Sequence, residues 1–225
     1  MKVHLTPRYI AAFLFLTMLC GTSHEFVHHF TAAAICGCFG YKTFNSFEIC
    51  QGCENAHPMH YWATLAGPLF TYALMWVGLS QLRKQENKNN QLGFALIFAN
   101  FPINRIAFAL MGWNDEQWVA RLIYPSQSGF WITNLLIWAC TLPPLYWAYK
   151  SLVNDKWRLF TFLGFLILPF VFVIVFAGFF LEEWLLLKLN FLSTTVWGIP
   201  YLIMLCELIC LLGYFKFKRY LYQEN

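Results

Sequence analysis

Six apolar runs, each close to twenty residues or longer, divide the chain. They cover residues 9–35, 60–82, 92–112, 129–149, 159–181 and 196–214. A hydrocarbon core of about 30 Å needs roughly 20 helical residues to cross it. Lipid offers no partner to an unpaired backbone group, so each run is predicted to be a helix. Only 12% of the residues are charged, where a soluble domain carries about 25%. The expected fold is therefore all-α: a polytopic transmembrane bundle of about six spans, with no separate soluble domain. The first run continues through His24 and His28, too long for a cleaved signal peptide, so it is expected to remain in the mature protein.

The basic residues set an orientation. Lys2, Arg8, Arg83, Lys84, Lys88, Lys150, Lys156, Arg158, Lys216, Lys218 and Arg219 fall on one side of a six-span topology. Lys42, Arg121 and Lys188 fall on the other, and Arg105 lies within the third run. Positive charge is retained on the cytoplasmic side, so both termini are expected there. Trp62, Trp113, Trp131, Trp157, Trp184 and Trp197 stand near run ends, where an interfacial aromatic belt would put them. The net charge of +4 is scattered and forms no patch, which excludes a nucleic-acid surface.

The first run contains His24-Glu25-Phe26-Val27-His28. A spacing of i, i+4 puts both imidazoles on one helix face. Two such His and an adjacent Glu form the zinc-hydrolase arrangement, in which the Glu takes a proton from water. Ionisable groups inside a span are costly and need partners. Glu25, with His24, His28 and His29 around it, suits either a metal site or a proton relay, and the metal site is preferred.

Zinc needs a third protein ligand and keeps a fourth position open. A ligand at the same depth must come from an element two crossings later, at the end of the third run. Asp115 is the first choice there, Glu116 its nearest rival, and His57 and His60 stay open. Counting 1.5 Å per residue, His24 and His28 lie about 10 to 17 Å below the end of their helix. Asp115 is at or beyond the end of its own run. Reaching the same depth requires either a helix kinked at Pro102 or a loop at Trp113 folded inward.

With these residues in place, the chain resembles the site-2 protease family of intramembrane zinc metalloproteases. The resemblance rests on His24-Glu25-Phe26-Val27-His28, on Leu65-Ala66-Gly67-Pro68-Leu69 in the second run, and on Asn100-Phe101-Pro102 with Asp115 in the third. It covers residues 9 to about 123. It implies zinc held by His24, His28 and Asp115, with Glu25 as general base. Asn100 would hold substrate or a developing oxyanion, and Gly67-Pro68 would allow a close helix approach. It also implies a three-helix catalytic core in residues 1–123, followed by three further helices in residues 124–225. The implied partner is a membrane-embedded protein substrate; the apolar runs themselves call for a lipid bilayer, and a short chain with no extra regulatory domain is expected in a bacterial inner membrane. Thr71 stands where the family often has Asn, and Glu116 follows Asp115 where the family usually has Gly.

Cys36, Cys38, Cys50 and Cys53 cluster in the 36–59 loop. An exoplasmic loop is oxidising, which favours two disulfides over a second, structural zinc. Four cysteines admit three pairings. Stapled beside the metal site, the loop is expected to restrict substrate entry. Arg105 is expected to pair with Glu25, Asp115 or Glu116. Glu182-Glu183 is expected to mark the exit of the fifth run, and Pro143-Pro144 to kink the fourth helix. Two functions compete: peptide-bond hydrolysis in or near transmembrane segments, and a non-proteolytic metal-binding or proton-relaying role.

Overall fold

Thr6 opens the first helix. Its hydroxyl accepts a hydrogen bond from Tyr9 N at 3.2 Å, and Pro7 supplies the preset first turn. Helix α1 (Pro7–Cys36) then runs unbroken to Gly37. The structure is a computed structural model that describes residues 3, 5–84, 90–153 and 157–222. Lys2, Lys88 and Lys156, counted above among the basic flanks, lie outside the described residues. After α1 come the short α2 (Cys53–Ala56), α3 (Tyr61–Arg83), α4 (Asn90–Ala99), α5 (Pro102–Met111), α6 (Asp115–Ile123) and α7 (Gln127–Ser151). Helix α8 (Arg158–Phe172) widens into a π helix (Val173–Lys188), and a hairpin of β1 (Thr195–Val196) and β2 (Ile199–Pro200) leads into α9 (Tyr201–Phe217).

The fold is all-α apart from that hairpin. Among the described residues four segments are long and apolar enough to cross a membrane: Pro7–Cys36, Tyr61–Arg83, the broken helix Asn90–Ile123, and Arg158–Lys188. The sixth apolar run begins as a hairpin. Val196 and Ile199 are β-formers flanking Trp197-Gly198, both at positive φ, the backbone of a two-residue hairpin turn. Helix α9 therefore starts at Tyr201 and has 17 residues.

Helix α4 sits at the centre, with Gln91 and all seven residues from Gly93 to Ala99 buried. It packs against α1, α3, α7 and α8. Gly78 of α3 and Gly93 of α4 cross so closely that a Cβ on either would meet the other's carbonyl oxygen within 2.7 Å. Small residues let membrane helices approach in this way. Around α4, Tyr9, Phe13, Leu16, Met75, Phe94, Phe98 and Phe165 form the main apolar core. A second cluster joins α1, the π helix and α9 through Met18, Ala177, Leu181 and Ile203.

The outside is apolar as well. Leu135, Leu136, Phe160 and Phe179 are each at least 60% exposed. So large an exposed apolar surface is unsuited to water and suited to lipid. The six tryptophans placed near run ends are all exposed.

The third run, expected as one helix, is broken twice. Phe101 adopts a left-handed conformation (φ 52°), and Pro102 starts α5 as a new helix. Helix α5 ends at Gly112 (φ 72°), where Gly112 N donates to Ala109 O and Trp113 N to Phe108 O, the Schellman pairing. Arg121 Nη1 donates to Gly112 O at 2.6 Å and closes the turn. Asp115 then opens α6.

Candidate metal centre

His24 and His28 stand one turn apart on α1, with ring centroids 4.5 Å apart. Their Nε2 atoms are 2.9 Å from each other. Asp115 Oδ2 lies 3.5 Å from His24 Nε2 and 3.6 Å from His28 Nε2. Helix α3 fixes both rings. His28 Nδ1 lies 2.7 Å from the carbonyl of Ala63. A carbonyl only accepts, so Nδ1 carries the hydrogen and Nε2 presents its lone pair inward. His24 Nδ1 lies 2.8 Å from Thr71 Oγ1, which orients the second ring likewise. Gly67 leaves room for this: a Cβ there would overlap Nε2, Cδ2 and Cε1 of His28. Phe47 of the cysteine loop stacks on the other face of His28, with centroids 4.5 Å apart and planes within 7°.

Two nitrogen lone pairs and a carboxylate oxygen thus converge. Such a set repels itself unless a cation or proton is shared. Four ligands at about 2.0–2.1 Å from zinc would stand about 3.3 Å from one another. The observed 3.5 and 3.6 Å to Asp115 lie close to that spacing, and the 2.9 Å between the imidazoles is shorter than it. Among the described residues His24, His28 and Asp115 are the one group of three that could hold a metal ion. The donor set suits a divalent cation of the zinc type, though imidazole and carboxylate also serve other metals.

Arg105 lies against the centre with only 7% exposure. Its Nη2 is 2.9 and 3.1 Å from the two nitrogens of His24, and its Nη1 donates to Asp115 Oδ2 at 3.3 Å and to Glu116 Oε2 at 3.5 Å. Of its three expected carboxylate partners it pairs with these two. Glu116, the rival third ligand, accepts from the Tyr72 hydroxyl and from Arg105. His60 sits near His57 O and beside Tyr61 and Trp118, away from the centre. His29 turns to the carbonyl of Trp197 at 2.8 Å and pins the hairpin to α1. Asn100 is buried, its amide donating to Leu96 O at 2.7 Å while its Oδ1 has no partner.

A cavity of about 610 Å³ opens beside the triad, with His24, Glu25, Thr71, Arg105 and Asp115 on one wall. Phe170, Val173, Ile174, Ala177 and Gly178 line it as well, so residues beyond 123 also shape the site. Glu182 and Glu183, expected at a span exit, line this cavity. Glu182 accepts from Asn45 N at 3.0 Å and Nδ2 at 2.8 Å, tying the cysteine loop to the π helix. That loop carries the nested disulfides Cys36–Cys53 and Cys38–Cys50.

Four residues escaped the sequence reading. Lys42 is fully buried in the cysteine loop, its ammonium 4.4 Å from the Phe26 ring centroid and donating to Thr43 O. Burial pushes it down to about 8, while Glu25, Glu207 and Glu182 pull the other way. Glu207 lies in the middle of the sixth apolar run, where an acidic residue was itself a visible signal. Asn104 and Asn114 line the cavity. Asn114 occupies the N-cap of α6 yet makes no capping bond, and neither amide atom has a partner. A missing cap costs about 1 kcal/mol and an unpaired buried polar group about 1–3 kcal/mol.

No family model, no curated protein and no solved structure matches this chain. What stands is a helical protein with candidate membrane-spanning helices and a His24/His28/Asp115 cluster able to chelate a metal ion.

Proposed function

We propose that the chain is an intramembrane zinc metallopeptidase that hydrolyses peptide bonds in or near transmembrane segments of other proteins. One observation carries this reading: the three ligand atoms converge beside Glu25 on the wall of a cavity that spans the gap between α1, α5 and the π helix. It is supported by the resemblance of His24–His28, Gly67-Pro68 and Asp115 to the site-2 protease pattern. Gly67 takes the close approach which that pattern implies.

When bound, the cation supplies Lewis acidity at the centre. The remaining work falls to the chain. His24, His28 and Asp115 hold the ion, and Thr71 and the Ala63 carbonyl keep the imidazoles aimed at it. Glu25 takes the proton from the attacking water and returns it to the leaving amine. Arg105, held by Glu116 and Asp115, places a fixed positive charge where negative charge develops on the scissile carbonyl. The apolar walls exclude bulk water, which strengthens these interactions. In this proposal the protein is multi-pass, α7 and α9 complete six spans, both termini are cytoplasmic, and the setting is a bacterial inner membrane. Residues 1–123 form the catalytic core, in which Asn100 holds the substrate or the developing oxyanion.

The test uses purified protein in proteoliposomes with a panel of fluorogenic single-span peptides. Glu25→Gln is expected to keep its metal and lose at least about 10²-fold in cleavage rate. Cleavage by this variant at the parent rate would remove Glu25 as the base.

A second reading is favoured by Lys42 and Glu207. They extend a series of ionisable groups from Glu25 toward α9, as a non-proteolytic metal-binding or proton-relaying protein would require. Proton flux lost in Glu207→Gln, with no peptide cleaved by the parent protein, would decide for it.

A further inference from the structure

Away from the metal centre, the first helix meets the end of the last. Arg8 stands in the first turn of α1, and Arg219 in the 3-10 turn (Lys218–Leu221) that follows α9. Both reach Tyr220. Arg8 Nη1 donates to the Tyr220 hydroxyl at 3.0 Å and Arg219 Nη2 at 2.8 Å. Their guanidinium carbons lie 5.5 and 4.9 Å from the centroid of its ring. Like charges held so close repel each other. Among the described residues neither guanidinium meets a carboxylate, because every ion pair there belongs to the metal centre. One phenol oxygen also leaves most of their N–H groups without an acceptor. The Arg219 hydrogen bond, joined by that of Arg8, holds the Tyr220 phenol below its ordinary value. An oxygen set between the two arginines is therefore already favoured in its negative form.

The planar fork of arginine matches the oxygens of a phosphate group. The surface around the pair says what carries that phosphate. Leu208, Leu211, Leu212 and Phe215 are exposed and recur at helical spacing along α9, so one apolar stripe runs up to this end of the molecule. Leu5, just before α1, is exposed too. A water-soluble anion gains nothing from such a stripe, whereas an acyl chain covers it. Lys216 and Lys218 flank the site, their ammonium groups over the Phe217 and Phe215 rings. They attract a headgroup with net negative charge and repel the ammonium of a zwitterionic one. We infer that Arg8, Arg219 and Tyr220 form a headgroup site for the phosphate of an anionic phospholipid, whose acyl chains lie along the exposed face of α9. The bound lipid ties α1, which carries His24 and His28, to the end of α9. This site is independent of what the metal centre does.

The test uses the full chain in a neutral detergent and reads binding by isothermal titration calorimetry. The probes are dihexanoylphosphatidylglycerol, dihexanoylphosphatidylcholine and inorganic phosphate. The parent protein is expected to bind the phosphatidylglycerol at least about tenfold more tightly than either of the others, the worth of one charge-assisted hydrogen bond. Arg8→Gln combined with Arg219→Gln is expected to lose that preference. Arg83→Gln combined with Lys84→Gln removes as much charge from the end of α3 and is expected to keep it. Should the arginine pair variant not be recovered folded, Arg219→Gln alone carries the comparison, with a loss of about tenfold expected. Equal binding of the two lipids, a preference that survives in the arginine variants, or an equal loss in the α3 variant overturns the site. Inorganic phosphate bound as tightly as phosphatidylglycerol overturns the lipid as its occupant. Glu224, which lies outside the described residues, is present throughout; if the chain's own carboxylate fills the site, no probe binds, and that result overturns the proposal as well.

Discussion

His28 is held from three sides: by the Ala63 carbonyl behind it, by Phe47 on one face, and by the bare backbone of Gly67 against its edge. Gly67→Ala should raise the intrinsic helix propensity of α3 and yet displace the imidazole. Metal affinity is expected to fall about 10–100-fold, the usual cost of disturbing what orients a ligand. Isothermal titration with zinc on purified protein reads it. Thr71→Val keeps the volume and removes the oxygen beside His24 Nδ1; a loss of similar size is expected there. The ligands themselves were visible in the sequence because two His one turn apart are local information. Their supports were not. Thr71 was noticed only as a departure from a pattern, and Phe47 reaches His28 across a loop whose path no spacing encodes. Asn100 was named from its place in the motif; its amide donates back to Leu96 O, and its Oδ1 is buried without a partner.

At the level of elements, the third apolar run shows where periodicity stops being informative. Pro102 and Gly112 were both in view as breakers, and either a kink or an inward loop could have brought Asp115 to depth. Both occur: Phe101-Pro102 divides α4 from α5, and a Schellman turn at Gly112 joins α5 to α6. Gly112→Ala would put a Cβ 3.0 Å from Arg121 Nη1 in a left-handed conformation, which L-residues adopt at a cost of about 1–2 kcal/mol. It should lower thermal stability and loosen metal binding without touching a ligand, and a thermal melt with and without zinc checks this. The hairpin of the sixth run was legible in Trp197-Gly198 and was masked by the apolar content around it. In the cysteine loop the two disulfides arise as expected, and the pairing follows from how the loop folds back on α1. Lys42 inside this loop is held near 8 against an ordinary 10.5. Between those values the unfolded chain carries a proton that the folded chain does not. Stability therefore rises as pH rises from about 8 to 10.5. Denaturation of Lys42→Met across that range should show a flatter slope than the parent protein.

For the whole molecule, the apolar runs were sufficient to predict a helical bundle fit for lipid, because that inference needs only length and backbone physics. They could not predict that the site would be closed by the far half of the chain. The π helix and the Asn45–Glu182 tie enclose the cavity from segments with no motif of their own. In the proposed topology Lys216, Lys218 and Arg219 face the cytoplasm. Impermeant labelling of an added C-terminal cysteine should therefore succeed only after the cytoplasmic face is opened. Above these matters stands the metal. The most direct measurement is the metal content of purified protein by mass spectrometry, for the parent chain, His24→Ala and Asp115→Ala. The account predicts about one equivalent in the parent chain and a small fraction of that in each variant. Equal metal in all three would contradict it.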